Sequence, residues 1–125
     1  MADLIRKELN LLFIAIGFFS RIPVPKKVDF SEYKLNQASR YFSLVGLLLA
    51  VFLSAFWYVL QPILPNDVTI FLVIGLSLLL TGAFHEDGLA DTADGFGGAF
   101  EQEKKLAIMK DSRIGTYGAA ALITA

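Results

Sequence analysis

The stretch from Tyr41 to Leu60, YFSLVGLLLAVFLSAFWYVL, runs for twenty residues without a charge. As an α-helix rising 1.5 Å per residue it reaches about 30 Å, the thickness of one bilayer hydrocarbon core. Tyr41 stands at one end and Trp57 with Tyr58 at the other, amphipathic rings of the kind that settle at the two membrane interfaces. Pro62 and Pro65 then stop the helix. Beyond the link 61–67, Val68 to Phe84 is a second uncharged run, seventeen residues long and at the short end of the spanning range. So short a link allows only a tight reversal. The two runs, 41–60 and 68–84, are therefore expected to be an antiparallel pair of membrane helices.

Composition points the same way. Of 125 residues, 55% are hydrophobic, above the ~45–50% usual for soluble domains, and they are clumped rather than periodic. Mean hydropathy is +0.58. The expected fold is all-α, a polytopic integral membrane helical bundle forming one membrane domain over 1–125. Net charge is −1, so no bulk attraction to nucleic acid follows. The absence of cysteine excludes disulfides, thiolate metal sites and cysteine nucleophiles.

The first apolar segment, Leu9 to Ser20, has twelve residues between Glu8 and Arg21. It is too short to span, and 1–20 is expected as an interfacial or re-entrant helix. Arg6 and Lys7 ahead of an apolar run resemble a signal peptide, but Ser20-Arg21-Ile22-Pro23 offers no small-x-small cleavage site. At the other end, Gly118 to Ala125 reads GAAALITA. It is expected to start a further membrane helix, and the sequence to be the front part of a longer protein.

Basic residues orient the chain. Residues 21–40 carry Arg21, Lys26, Lys27, Lys34 and Arg40; the link 61–67 carries none; 85–117 carry Lys104, Lys105, Lys110 and Arg113. The positive-inside rule puts both charged stretches in the cytoplasm. Within the second, Glu101 to Lys110 reads as a short amphipathic helix.

The densest chemistry lies in that cytoplasmic segment, 85–117. From residue 82 the sequence is GAFHEDGLADTADGFGGAF, with His85 and four acids, Glu86, Asp87, Asp91 and Asp94, within ten residues. The spacing of Asp87, Asp91 and Asp94, i, i+4, i+7, puts all three on one face of a helix. Like charges at i, i+4 repel, so a compensating cation is expected. Carboxylates suit hard cations, Mg²⁺ or Mn²⁺, which are commonly held by one or two carboxylates, water and substrate phosphate. Gly88, Gly95, Gly97 and Gly98 would let phosphate approach the backbone. A solvated loop is the plainer alternative, but the acids alternate with Leu89, Ala90, Ala93 and Phe96, as in a packed segment. The spacing does not match an EF-hand loop, and one His without Cys does not suit zinc. His85, beside carboxylates, is a candidate proton carrier or phosphate contact. Downstream, Lys110 and Arg113 of KDSRIGTYG could neutralise phosphate oxygens, Arg113 in bidentate fashion.

Together, HEDGLADTADGFGG (85–98) and KDSRIGTYG (110–118) resemble the cobalamin synthases, or adenosylcobinamide-GDP ribazoletransferases. Ser20-Arg21-Ile22-Pro23-Val24-Pro25 is similar to that family's early Arg-x-Pro-x-Pro turn, and Tyr41 to Gly46 to its aromatic-rich helix entry. Ser43 and Ala50 depart from the pattern, where Pro and Gly are expected. The resemblance runs through the whole chain and covers about the first half of a family member.

What the resemblance implies is specific. The reaction joins adenosylcobinamide-GDP to α-ribazole or its 5′-phosphate, releases GMP, needs Mg²⁺ and takes place at the cell inner membrane. Glu86, Asp87, Asp91 and Asp94 would hold Mg²⁺, with Glu86 either a ligand or just behind one. His85 or Asp94 would take the proton from the attacking hydroxyl. Arg113 and Lys110 would contact phosphate oxygens, with Gly95 and Gly97 alongside. Partners would be the two substrates and membrane lipid, with no nucleic acid and with homo-oligomerisation open. Two alternatives stand beside this. A CDP-alcohol phosphotransferase shares Asp91-x-x-Asp94-Gly95 but has an Arg where this chain has Ala99. A divalent-cation transporter would carry its acids inside the apolar run, not after it.

Overall fold

The computed structural model describes residues 1–125, the side chain of Ala2 excepted. Every regular element among the described residues is helical, and they group into two compact units, Met1–Gly82 and Ala83–Ala125.

The first unit holds α1 (Ala2–Phe19), α2 (Glu32–Ala38), a 3₁₀ turn (Ser39–Tyr41), α3 (Phe42–Leu60) and α4 (Asn66–Thr81). Its core is small. Leu11, Ile14 and Ala15, an i, i+3, i+4 stripe on α1, pack with Ala38, Val45 and Leu49. Ala15 and Ala38 are fully buried; side chains that small let helix backbones approach closely, the usual device where lipid removes the hydrophobic drive between helices. Polar fasteners hold the connections. The Asn10 amide bonds the backbone of Asp29 in both directions, at 2.9 Å each. Glu8 Oε2 accepts from Arg40 and from the Tyr41 hydroxyl. The Arg21 N–H donates to the Leu80 carbonyl at 2.6 Å.

One element goes beyond the sequence reading and one boundary differs from it. Residues 21–40 carry no apolar periodicity, yet 32–38 form α2, because Ser31 caps it by accepting the Lys34 N–H. The second apolar run, 68–84, is not all one helix. Gly82 takes the left-handed conformation, with φ 67°, and closes α4. Ala83 follows with φ 58°, a conformation that costs a non-glycine residue about 1–2 kcal/mol, and Phe84 already belongs to the next helix.

The continuous helical stretch Glu32–Leu60 is long and apolar enough to cross a membrane, and only 11% of its most apolar window is buried within the protein. The core helix of a soluble protein would be mostly covered. Here Leu47, Val51, Phe52 and Val59 face outward, as do Phe71, Ile74 and Leu79 on α4. An apolar surface of that extent suits a lipid environment. The fold is all-α, and the protein is a membrane protein.

The second unit is α5 (Phe84–Gly98), α6 (Gln102–Met109) and α7 (Thr116–Thr124). Helix α5 packs against both of the others through its buried Ala90, Asp94 and Gly95.

Candidate metal and phosphate site

Helix α5 carries the acidic run. Glu86 and Asp87 fall in its first turn, where the unpaired N–H groups of a helix N-terminus favour negative charge. That placement relieves part of the repulsion that the spacing alone implies. Glu86, Asp87, Asp91 and Asp94 line a cavity of about 470 Å³ together with Lys110, Asp111, Ser112 and Arg113. The cavity therefore brings carboxylates and cations into one lining. Glu86 Oε2 is buried and meets no hydrogen-bond donor among the described residues.

Asp94 is set apart from the other acids. It is 8% exposed, its Oδ2 accepts the Gly115 N–H at 2.7 Å, and its Oδ1 accepts the Gly118 N–H at 2.7 Å. Gly115 precedes α7 and Gly118 lies in its first turn, so Asp94 caps α7 from another helix.

Arg113 is already oriented. Its Nε and Nη2 donate to the Asp111 carboxylate at 3.0 and 2.6 Å, and its backbone N–H donates to Asp111 Oδ1 at 3.1 Å. The last bond is an Asx-turn, the local geometry that suits Asp two residues before its partner. The guanidinium holds the Asp111 carboxyl down at about 2, and the carboxylate in turn raises Arg113 above its ordinary value. The pair also borders an adjoining cavity of about 490 Å³, lined further by Ile108, Thr116 and Tyr117. Sequence reasoning gave Asp111 no role, although Asp-x-Arg ahead of Gly115 is the readable sign of such a turn.

The structure thus brings Glu86, Asp87, Asp91, Asp94, Lys110 and Arg113 to one cavity. It does not bring His85, which lies outside the lining with its ring edge-on to Phe84 at 5.6 Å. Nor do Gly95 and Gly97 face that space. A Cβ on Gly95 would come 2.7 Å from Met109 Cγ, and one on Gly97 would come 2.5–2.7 Å from three ring carbons of Tyr117. The close approach these glycines allow is to α6 and α7, not to an open phosphate path.

A closed metal cage is not present: among the described residues no three acidic or histidine side chains converge tightly enough to hold an ion alone. The donor set nevertheless fits a hard cation of the open kind, with carboxylates in the lining, an orphaned buried oxygen on Glu86, and room for water and phosphate.

Comparison with known proteins agrees with the motifs. A profile described as cobalamin-5-phosphate synthase matches residues 11–125. The adenosylcobinamide-GDP ribazoletransferase of Shewanella amazonensis is 57% identical over 120 residues, covering 96% of this chain and 46% of the relative. That of Vibrio parahaemolyticus is 54% identical over 121 residues, covering 97% and 46%. That of Pseudoalteromonas atlantica is 55% identical over 125 residues, covering 100% and 46%. The chain spans about half the length of the curated relatives it matches. No solved structure matches. The match across residues 11–125 and the identities of its relatives establish that the chain belongs to the cobalamin-5-phosphate synthase family.

Proposed function

We propose that this sequence carries the diphosphate-binding half of a membrane-embedded transferase that joins adenosylcobinamide-GDP to α-ribazole, or to its 5′-phosphate, with release of GMP. The observation that carries the reading is the cavity whose lining gathers Glu86, Asp87 and Asp91 with Lys110 and Arg113. A nucleotide diphosphate needs both a metal site and cationic hydrogen-bond donors. Supporting this, the relatives' name includes a GDP-bearing substrate and a ribazole transfer, and two adjoining cavities share the Asp111–Arg113 pair, as a two-substrate reaction would use.

Mg²⁺, held by Asp87 and Asp91 with Glu86 beside them, would neutralise diphosphate charge. The chain's own residues do the rest. Arg113 and Lys110 bind the phosphate oxygens and orient the diphosphate. A ribose hydroxyl oxygen bonds to the cobinamide-side phosphorus, the bond from that phosphorus to the bridging oxygen breaks, and its electron pair leaves with GMP. A carboxylate of the lining would take the hydroxyl proton; Glu86 Oε2 has no protein donor on it, whereas Asp94 already accepts two N–H groups, and His85 stands outside the lining. Such catalysis is mostly positioning and charge stabilisation.

The proposed setting is the inner membrane, multi-pass, with 85–117 facing the cytoplasm, supported by the lysine and arginine distribution. The charged α1 is not among the stretches apolar enough to span and lies at the interface in this reading. The test is Mg²⁺-dependent GMP release from adenosylcobinamide-GDP by full-length protein carrying this sequence. Asp91→Asn should lower turnover at least about a hundredfold while membrane insertion stays intact. Retained turnover would sink the assignment.

A further inference from the structure

We infer that Asp94 is a positioning residue: its buried carboxylate clasps the turn that carries Arg113, and it is not a ligand of the metal. The inference rests on the metal–diphosphate reading of the cavity given above.

Four observations converge. First, both Asp94 oxygens are engaged, each accepting a backbone N–H at 2.7 Å. Second, the charge is already compensated. Asp94 lies toward the C-terminal end of α5, where that helix disfavours an anion, and at the N-terminus of α7, where the helix favours one. Asp87, in the first turn of α5, has no such second helix to answer to. Third, the fit is close. A Cβ on Gly115 would come 2.5 Å from Asp94 Oδ1, and one on Gly118 would come 2.4 Å from Oδ2 and 2.9 Å from the Ala90 carbonyl. Glycine at both positions is what allows the carboxylate to reach the two N–H groups. Fourth, the clasped Gly115 is two residues beyond Arg113, whose guanidinium is itself held by Asp111. Fixing Gly115 therefore fixes the turn from which Arg113 reaches the cavity. The i, i+4, i+7 spacing groups three aspartates in one lining, but only Asp94 commits both oxygens to backbone N–H groups of another element.

The experiment uses full-length protein in lipid nanodiscs, with Asp94→Asn and Gly118→Ala. Asn keeps the shape but turns an NH₂ toward an N–H; Gly118→Ala leaves the carboxylate and crowds the clasp. Each should lower kcat/KM about a hundredfold, while Mn²⁺ affinity, read by electron paramagnetic resonance without substrate, stays at the wild-type value. In an Arg113→Ala background, Asp94→Asn should cost less than about threefold more, because both act through one element. Amide exchange at Gly115 and Gly118 should be slow in wild type and fast in Asp94→Asn.

A loss of Mn²⁺ affinity of about tenfold or more in Asp94→Asn, with Gly118→Ala unchanged, overturns the inference. So does a full hundredfold loss on the Arg113→Ala background, or wild-type activity in Gly118→Ala. The last arm decides the matter if Asp94→Asn does not fold. If wild-type protein binds no Mn²⁺, the metal reading fails, and amide exchange still tests the clasp by itself.

Discussion

The two units put their side chains to different ends. Met1–Gly82 turns most of its large apolar residues outward and keeps a core of six, two of them alanine. Ala83–Ala125 packs α5 on α6 and α7 and adds directional polar contacts, with a buried carboxylate across two amides and a guanidinium on a carboxylate within one turn. The first arrangement suits a lipid solvent, where apolar side chains lose little by facing out and small residues let helices meet. The second suits chemistry, where a few charged groups must stand in fixed positions. The comparison teaches that substitutions in the two units should report on different properties.

The largest effect should come from the polar unit. Arg113→Ala removes a charged donor from the cavity rim, and hydrogen bonds to charged groups contribute up to about 3 kcal/mol, so kcat/KM for GMP release should fall at least about a hundredfold. Arg113→Lys keeps the charge but loses the paired donors, and should recover only part of that. Thermal stability should barely move; a large drop would mean that Arg113 supports the fold and would blur the division between units.

Next comes the apolar unit. Leu11 is 1% exposed and central to its core. Leu11→Ala should destabilise the protein by about 2–3 kcal/mol, the low end for a buried leucine, measured by unfolding in detergent. Mn²⁺ affinity of the folded protein should not change. If both fall together, the units are not energetically separate.

The smallest effect concerns pH. With its carboxyl lowered from 3.8 to about 2, Asp111 stays ionised throughout neutral and mildly acidic conditions. The sign follows: the ion pair's contribution is whole above about pH 4 and is lost as pH falls through about 2. Both groups are solvent-exposed, so the contribution is small. Between pH 8 and 5, the stability difference between wild type and Asp111→Asn should be constant; a slope in that window would show that the pair is not ionised as described.

How much was legible in the sequence follows the same division. The uncharged runs announced α3 and α4 because lipid exposure acts on composition, which a linear reading captures. The capping of α2 by Ser31 depends on one side chain in a polar stretch, and apolar periodicity is blind to it. In the second unit, residue types and spacing exposed the acidic helix and its basic counterpart, but not the division of labour among the acids. Asp94 meets its partners 21 and 24 residues away, a pairing that helical spacing does not encode. Gly95 and Gly97 read as phosphate contacts for the same reason: a glycine marks close approach without saying what approaches. Here it is Met109 and Tyr117.

The central claim is that Asp87 and Asp91 make the cavity of the second unit a metal site. It is tested most directly by titrating Mn²⁺ into full-length protein and into its Asp87→Asn/Asp91→Asn variant, following bound ion by electron paramagnetic resonance. Wild type should bind saturably and the variant should lose at least about tenfold in affinity, with helical content unchanged. Equal affinity in the two proteins would contradict it.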